Sequence, residues 1–129
     1  MDKTISYLRI LFHILTLLLI ILSLYPGSIL AFLLYGDFRL QPQITKDFLY
    51  ISSQHLYVYG LVATLGFFSY LRDKKFKLVV IYLFFLSIIL EVLHLVISER
   101  SFQTSDLASN ILGVLIAYIV VLIYKFWKK

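Results

Sequence analysis

The chain has 129 residues, of which 61% are hydrophobic and 15% charged, an apolar share well above the ~45–50% of soluble globular domains. Its net charge is +5 and it contains no cysteine, which excludes disulfides, thiolate metal centres and thiol nucleophiles. Four bilayer spans of about 20 residues each would use roughly 80 positions, leaving no room for a soluble catalytic domain, so residues 1–129 read as a single membrane domain.

The first apolar run, 10–25, follows Lys3 and Arg9 and stops at Pro26-Gly27, a pair that ends a helix. It predicts a span over about 8–25. No small-x-small cleavage site follows and the downstream chain is also hydrophobic, which argues against a cleaved signal peptide. A connection over 26–54 comes next. Its apolar stretch Ile29–Tyr35 is too short to cross the bilayer and reads as interfacial, whereas Gly36-Asp37 and Gln41-Pro42-Gln43 read as turns.

The second span, 55–71, ends at Arg72-Asp73-Lys74-Lys75; the third covers 78–98, and the fourth, 107–127, runs into a basic C-terminus. The expected fold is an all-α membrane protein, a four-transmembrane-helix bundle. Its two short connections, 72–77 and 99–106, force spans two to four into antiparallel hairpins.

Lysine and arginine set the orientation. Lys3, Arg9, Arg72, Lys74, Lys75, Lys77, Lys125, Lys128 and Lys129 fall at the termini and the middle connection, against Arg39, Lys46 and Arg100 on the other side. The positive-inside rule then predicts both termini in the cytoplasm. The positive charge is accounted for as membrane stop signals attracted to anionic inner-leaflet lipid, so a nucleic-acid partner is not expected.

With this topology the polar residues crowd the outer half. Glu91 lies 14 residues, roughly 20 Å, above Lys77. Ser87, Glu91, His94 and Ser98 follow helical spacing and should share one face, as should Asp106, Asn110 and Gly113. Ser109, Gly113 and Ala117 form a small-xxx-small ridge for close helix approach. Span two brings His55 and Tyr59 to the same level. A cluster of His55, Tyr59, Glu91, His94, Asp106 and Asn110 results, with Arg100 on the loop above. A carboxylate deep in a span costs about 2.5–3.5 kcal/mol on insertion scales, so Glu91 should be paired, protonated or facing a wet cavity, with His94, Arg100 or His55 as partner.

At these residues the chain resembles the VanZ-like family of small bacterial membrane proteins. The family pattern is an acidic residue, glutamine three positions later, an arginine in an outer loop, Asp and Asn four apart, and glycine. Here it reads Glu91-Val-Leu-His94, Arg100, Asp106-Leu-Ala-Ser-Asn110 and Gly113, with His55 and Tyr59 matching an upstream histidine and tyrosine. His94 stands in place of the usual glutamine, and Ser52-Ser53 in place of a charged pair. A histidine can carry a proton near neutral pH where glutamine cannot. The resemblance implies a bacterial cytoplasmic membrane location and a role at the cell envelope, since the namesake lowers sensitivity to teicoplanin-type glycopeptides; it implies no reaction.

Three functions compete. In the first, the cluster binds or acts on a lipid-linked cell-wall precursor or an amphiphilic glycopeptide antibiotic, through Arg100, Asp106, Asn110 and Tyr59. In the second, Glu91 with His94 or His55 supplies acid and base to an outer-leaflet lipid, although no G-x-S-x-G, Gly-rich phosphate loop or H-E-x-x-H is present. In the third, a proton or cation pathway, the polar relay stops halfway across. The same cluster can also simply fasten three helices. A metal site from His55, Glu91, His94 and Asp106 is chemically permissible, but hydrogen bonding is the commoner use of such residues, so no metal or cofactor is expected. His13 reads as a core residue, Tyr118, Tyr124 and Trp127 as an interfacial belt, and the other phenylalanines and tyrosines as lipid-facing bulk. Arg39 and Lys46 are expected to stay solvated on a connection able to cover the cluster.

Overall fold

The computed structural model describes residues 2–129. Five α-helices follow one another: α1 Lys3–Leu24, α2 Ile29–Tyr35, α3 Ser53–Tyr70, α4 Phe76–Val92 and α5 Thr104–Trp127, with a 3-10 turn Leu93–Leu95 extending α4. Among the described residues there is no strand, only an isolated bridge between Phe48 and Ile51.

Three segments are long and apolar enough to cross a membrane: Lys3–Leu24, Phe76–Leu95 and Thr104–Trp127, with mean hydropathies of 2.3, 2.5 and 2.3. Helix α3 is not among them. It is the central helix, packed against α1, α4 and α5, and it turns Ser53, Tyr59, Gly66, Ser69 and Tyr70 into the protein. An inward-facing helix can afford such residues because its polar groups find partners in the bundle. The outward faces of the other helices are apolar, with Leu17, Ile81 and Val120 all exposed, as lipid contact requires.

The ends of the elements follow local chemistry. Asp2 caps α1 by accepting the Thr4 N–H, and Ser28 caps α2 by accepting the Ala31 N–H. Gly36, at φ +72°, closes α2 in the left-handed conformation that glycine adopts without strain. Helix α4 is shorter than its hydrophobicity predicts. It gives way to the 3-10 turn after Val92, and Ser98 falls in the following turn, exposed, so the expected polar stripe ends at His94.

Two expectations about aromatic residues are corrected. Phe12, Phe67 and Tyr70 are buried rather than lipid-facing. Tyr118 is no belt residue either, because its ring packs at 5.8 Å from Phe67, 6.4 Å from Phe84 and 6.5 Å from Phe76. Trp127, by contrast, is fully outward. His13, expected in the core, is instead exposed, with its Nε2 2.9 Å from the Tyr70 hydroxyl.

One end of α1 is stapled to the turn between α3 and α4. The Arg9 guanidinium donates to the Ser69 carbonyl at 3.0 Å, pairs with Asp73 at 2.6 Å and lies over the Tyr70 ring. Asp73 also accepts the Lys75 N–H at 2.8 Å. The Lys75 N–H and the Arg9 charge together hold its carboxyl below the ordinary carboxylate range. A carboxyl depressed in the folded state stabilises it above the unfolded value of about 3.9 and stops doing so as the pH falls through the lower folded value. The difference in thermal unfolding midpoint between the protein and Asp73→Asn in detergent should therefore be constant above about pH 5 and vanish well below pH 4.

Candidate functional site

At the opposite end of the bundle from Arg9, the start of α3 is fixed by a set of short polar contacts. Ser53 donates its N–H to Asp47 Oδ1 at 3.0 Å and its hydroxyl to the Thr45 carbonyl at 2.8 Å, and Gln54 donates to the Pro42 carbonyl. The Ser52 N–H donates to Ser109 Oγ at 2.7 Å, and Ser109 in turn donates to the Ser105 carbonyl at 2.5 Å. These contacts set the start of α3 against the start of α5, one turn below which His55 faces Asn110.

Asn110 joins three helices. Its Nδ2 donates to the Ser87 carbonyl of α4 at 3.2 Å, and its Oδ1 lies 2.8 Å from His55 Nδ1. The other imidazole nitrogen, Nε2, lies 3.5 Å from Asp106 Oδ2, one turn before Asn110 on α5. Glu91 and His94 form a second acid and imidazole pair beside the first. His94 Nδ1 is 3.3 Å from Glu91 Oε1, which also accepts the Gln103 N–H at 3.0 Å. His94 Nε2 is 2.9 Å from the Ser23 carbonyl of α1. A carbonyl only accepts, so that nitrogen carries a proton.

Glu91 is 1% exposed, and a charge so placed must be paired. Its Oε1 is paired twice over, whereas Oε2 has no hydrogen-bond partner among the described residues. Tyr59 is buried beside Ser23 and Glu91. One ligand atom each from His55, Glu91 and Asp106 lie within 4.8 Å of one another. His94 stands outside this triplet.

Arg100 departs from expectation. It makes no ion pair with a carboxylate among the described residues; its Nε donates to the Tyr25 carbonyl at 3.1 Å and its Nη2 to the Leu22 carbonyl at 2.6 Å. It thus satisfies the carbonyls at the end of α1, where a cation is favoured by the helix dipole. Burial pulls its guanidinium below its ordinary value, against the opposing pull of Glu91 and Asp106.

Beneath Arg100 a cavity of about 240 Å³ opens between α1, α2 and α3. Leu19, Leu22, Leu30 and Val58 line its apolar side, and His55, Tyr59, His94 and Arg100 its polar end. The segment 41–44 of the long connection lies along its edge through Gln41, Pro42 and Ile44. Lys46 and Arg39 point into solvent.

Several partners were invisible to sequence reading because they are main-chain atoms. The Ser23, Leu22, Tyr25 and Ser87 carbonyls and the Gln103 N–H serve the site whatever side chain they carry. Asp47 and Thr45 are side-chain and loop partners of Ser53, six and eight residues ahead of it, and no spacing rule marks them.

No curated protein and no solved structure matches the chain. A family model described as VanZ/LLP1 matches residues 10–126, a stretch that includes every side chain of the cluster. With the helical frame, the apolar spans and that match in agreement, the chain belongs to the VanZ/LLP1 family.

Proposed function

We propose that this protein is a four-span protein of the bacterial cytoplasmic membrane, with both termini in the cytoplasm, that binds an amphiphile from the outer leaflet. The ligand is a lipid-linked cell-wall precursor or an amphiphilic glycopeptide-type antibiotic, and occupation of the site lowers antibiotic sensitivity. Helix α3 is the fourth span in this reading. Its 18 residues reach about 27 Å, close to the roughly 30 Å hydrocarbon thickness, and Ser53, Tyr59, Ser69 and Tyr70 are buried inside the bundle. The distribution of lysine and arginine supports the orientation.

The observation that carries the reading is the cavity beneath Arg100, which joins an apolar wall to two imidazoles and a guanidinium. An acyl or prenyl chain fits the wall made by Leu19, Leu22, Leu30 and Val58, and an anionic headgroup fits the end where Arg100 supplies positive charge. Arg100 spends two of its donor groups on α1 and has others to offer, since a guanidinium carries five N–H donors.

Purified protein in detergent should bind a lipid-linked wall precursor saturably, and Val58→Trp, which fills the groove from its apolar side, should weaken binding at least about tenfold. Equal binding by protein and empty micelles overturns the reading. Mass analysis of the recovered lipid belongs to the same experiment. A covalently altered lipid would replace binding by catalysis through Glu91 and a histidine.

A further inference from the structure

The orientation of Asn110 decides what His55 can do. Asn110 Nδ2 donates to the Ser87 carbonyl, so the oxygen is the atom 2.8 Å from His55 Nδ1. An amide oxygen only accepts, and Nδ1 therefore carries the ring proton. The neutral imidazole then presents its Nε2 lone pair toward Asp106 Oδ2, 3.5 Å away. The two side chains are half-buried, and two lone pairs so placed repel unless something positive lies between them. Either a proton, carried by Nε2 or by the carboxyl, lies between them or a cation does.

Glu91 points to the cation. A proton shared by His55 and Asp106 would answer that pair alone, whereas the Glu91 carboxylate would keep Oε2 buried and without a partner. His94 and the Gln103 N–H hold Oε1, which leaves Oε2 as the free donor of that carboxylate. One ligand atom each from His55, Glu91 and Asp106 lie within 4.8 Å of one another. An ion with bonds of about 2.0–2.2 Å in tetrahedral geometry spaces its ligands by roughly 3.3–3.6 Å. The His55 to Asp106 distance already has that value, and modest side-chain rotation brings in the third.

We propose that His55, Glu91 and Asp106 bind a divalent transition-metal ion. Two carboxylates supply the charge that compensates a dication, and one imidazole with two oxygens suits zinc, manganese or ferrous iron rather than a metal that demands thiolate. The hydrogen bond from His55 Nδ1 to Asn110 is the outer support that orients a ligating imidazole. His55 also borders the cavity, so the fourth position opens toward it and is free for water or an anionic oxygen. This assignment stands on the donor geometry and does not require the amphiphile reading.

The test is metal binding by the full-length protein in detergent, stripped with a chelator and then titrated with zinc, and separately with manganese, by calorimetry and elemental analysis. About one ion per chain is expected for at least one of the two metals. His55→Ala and Asp106→Asn should each lower the affinity at least tenfold. His13→Gln, which alters a histidine bonded to Tyr70 at the far end of the bundle, should bind as the parent does. Absence of stoichiometric binding by the parent protein overturns the proposal whether or not a variant folds. Binding that survives equally in His55→Ala and Asp106→Asn overturns it as well, since the ion would then sit elsewhere. Neither readout involves lipid, so failure here and failure of amphiphile binding are separate results.

Discussion

Replacing Gly113 with alanine should cost more stability than any other single-methyl change in the bundle, and valine should prevent folding. A Cβ at this position would lie 2.6 Å from the Leu56 carbonyl oxygen and 2.9 Å from the Gly60 nitrogen. Both are main-chain atoms of α3, so no rotamer change relieves the overlap and the helices must part. Overpacking alone costs about 1–3 kcal/mol. Parting α3 from α5 also stretches the His55 to Asn110 and Ser52 to Ser109 hydrogen bonds, each worth about 0.5–1.5 kcal/mol. Gly60→Ala is the control. Its Cβ would meet nothing closer than the Gly113 carbonyl at 3.6 Å, an ordinary contact, and alanine is the better helix former. Thermal unfolding in detergent should rank Gly60→Ala near the parent and Gly113→Ala far below it. A Gly113→Ala protein as stable as the parent would mean that α3 and α5 do not meet backbone to backbone.

The second large effect is functional. In a glycopeptide-sensitive host whose tolerance the protein raises, Glu91→Gln should return tolerance to the host's own level while the amount of protein in the membrane stays unchanged. Glutamine keeps the shape and an oxygen able to accept the Gln103 N–H, but it removes the negative charge paired with His94. Asp106→Asn should behave alike, because it removes the charge facing His55. Glu91→Leu should instead deplete the protein. It strands the His94 imidazole and the Gln103 N–H, and breaking a buried pair from one side typically costs about 3–5 kcal/mol. Immunoblots of membrane fractions beside drug-susceptibility assays separate these outcomes. Full tolerance in Glu91→Gln would mean that the cluster fastens helices and does nothing more.

Much of this arrangement was legible in the residues, and the reason is periodicity. Glu91 and His94 three apart, and Asp106, Asn110 and Gly113 at intervals of four and three, can face inward together only on helices. The short connection at 99–106 then brings the two sets side by side. The small residues Ser109, Gly113 and Ala117 are all buried, as a close-approach ridge demands.

Other features left no such mark. Ser98 fits the spacing of its stripe, but the chain has already left the helix, with Glu99 at φ +61°. Tyr118 near the end of a span has the composition of an interfacial residue, and only the three rings around it hold it, partly buried, against the core. Arg100 looked like a partner for Glu91 because charges are what a sequence displays. The acceptors it uses are carbonyls, which every residue carries. The first span, read in general terms only, supplies those carbonyls, the Ser23 acceptor for His94 and one wall of the cavity. A low hydropathy in α3 is the reverse case, since Ser53, Tyr59, Ser69 and Tyr70 are enclosed by the bundle.

The grip of Arg100 on Leu22 and Tyr25 bears on how such a chain can drift. A lock that reads oxygen atoms of the main chain is indifferent to which side chains flank them, so the tail of α1 is free, as far as this lock is concerned, to accumulate replacements in step with the lipids around it. The burden of constancy falls on one guanidinium. A lineage can rewrite the outer surface of its first helix many times over and still keep that helix tethered to the same loop.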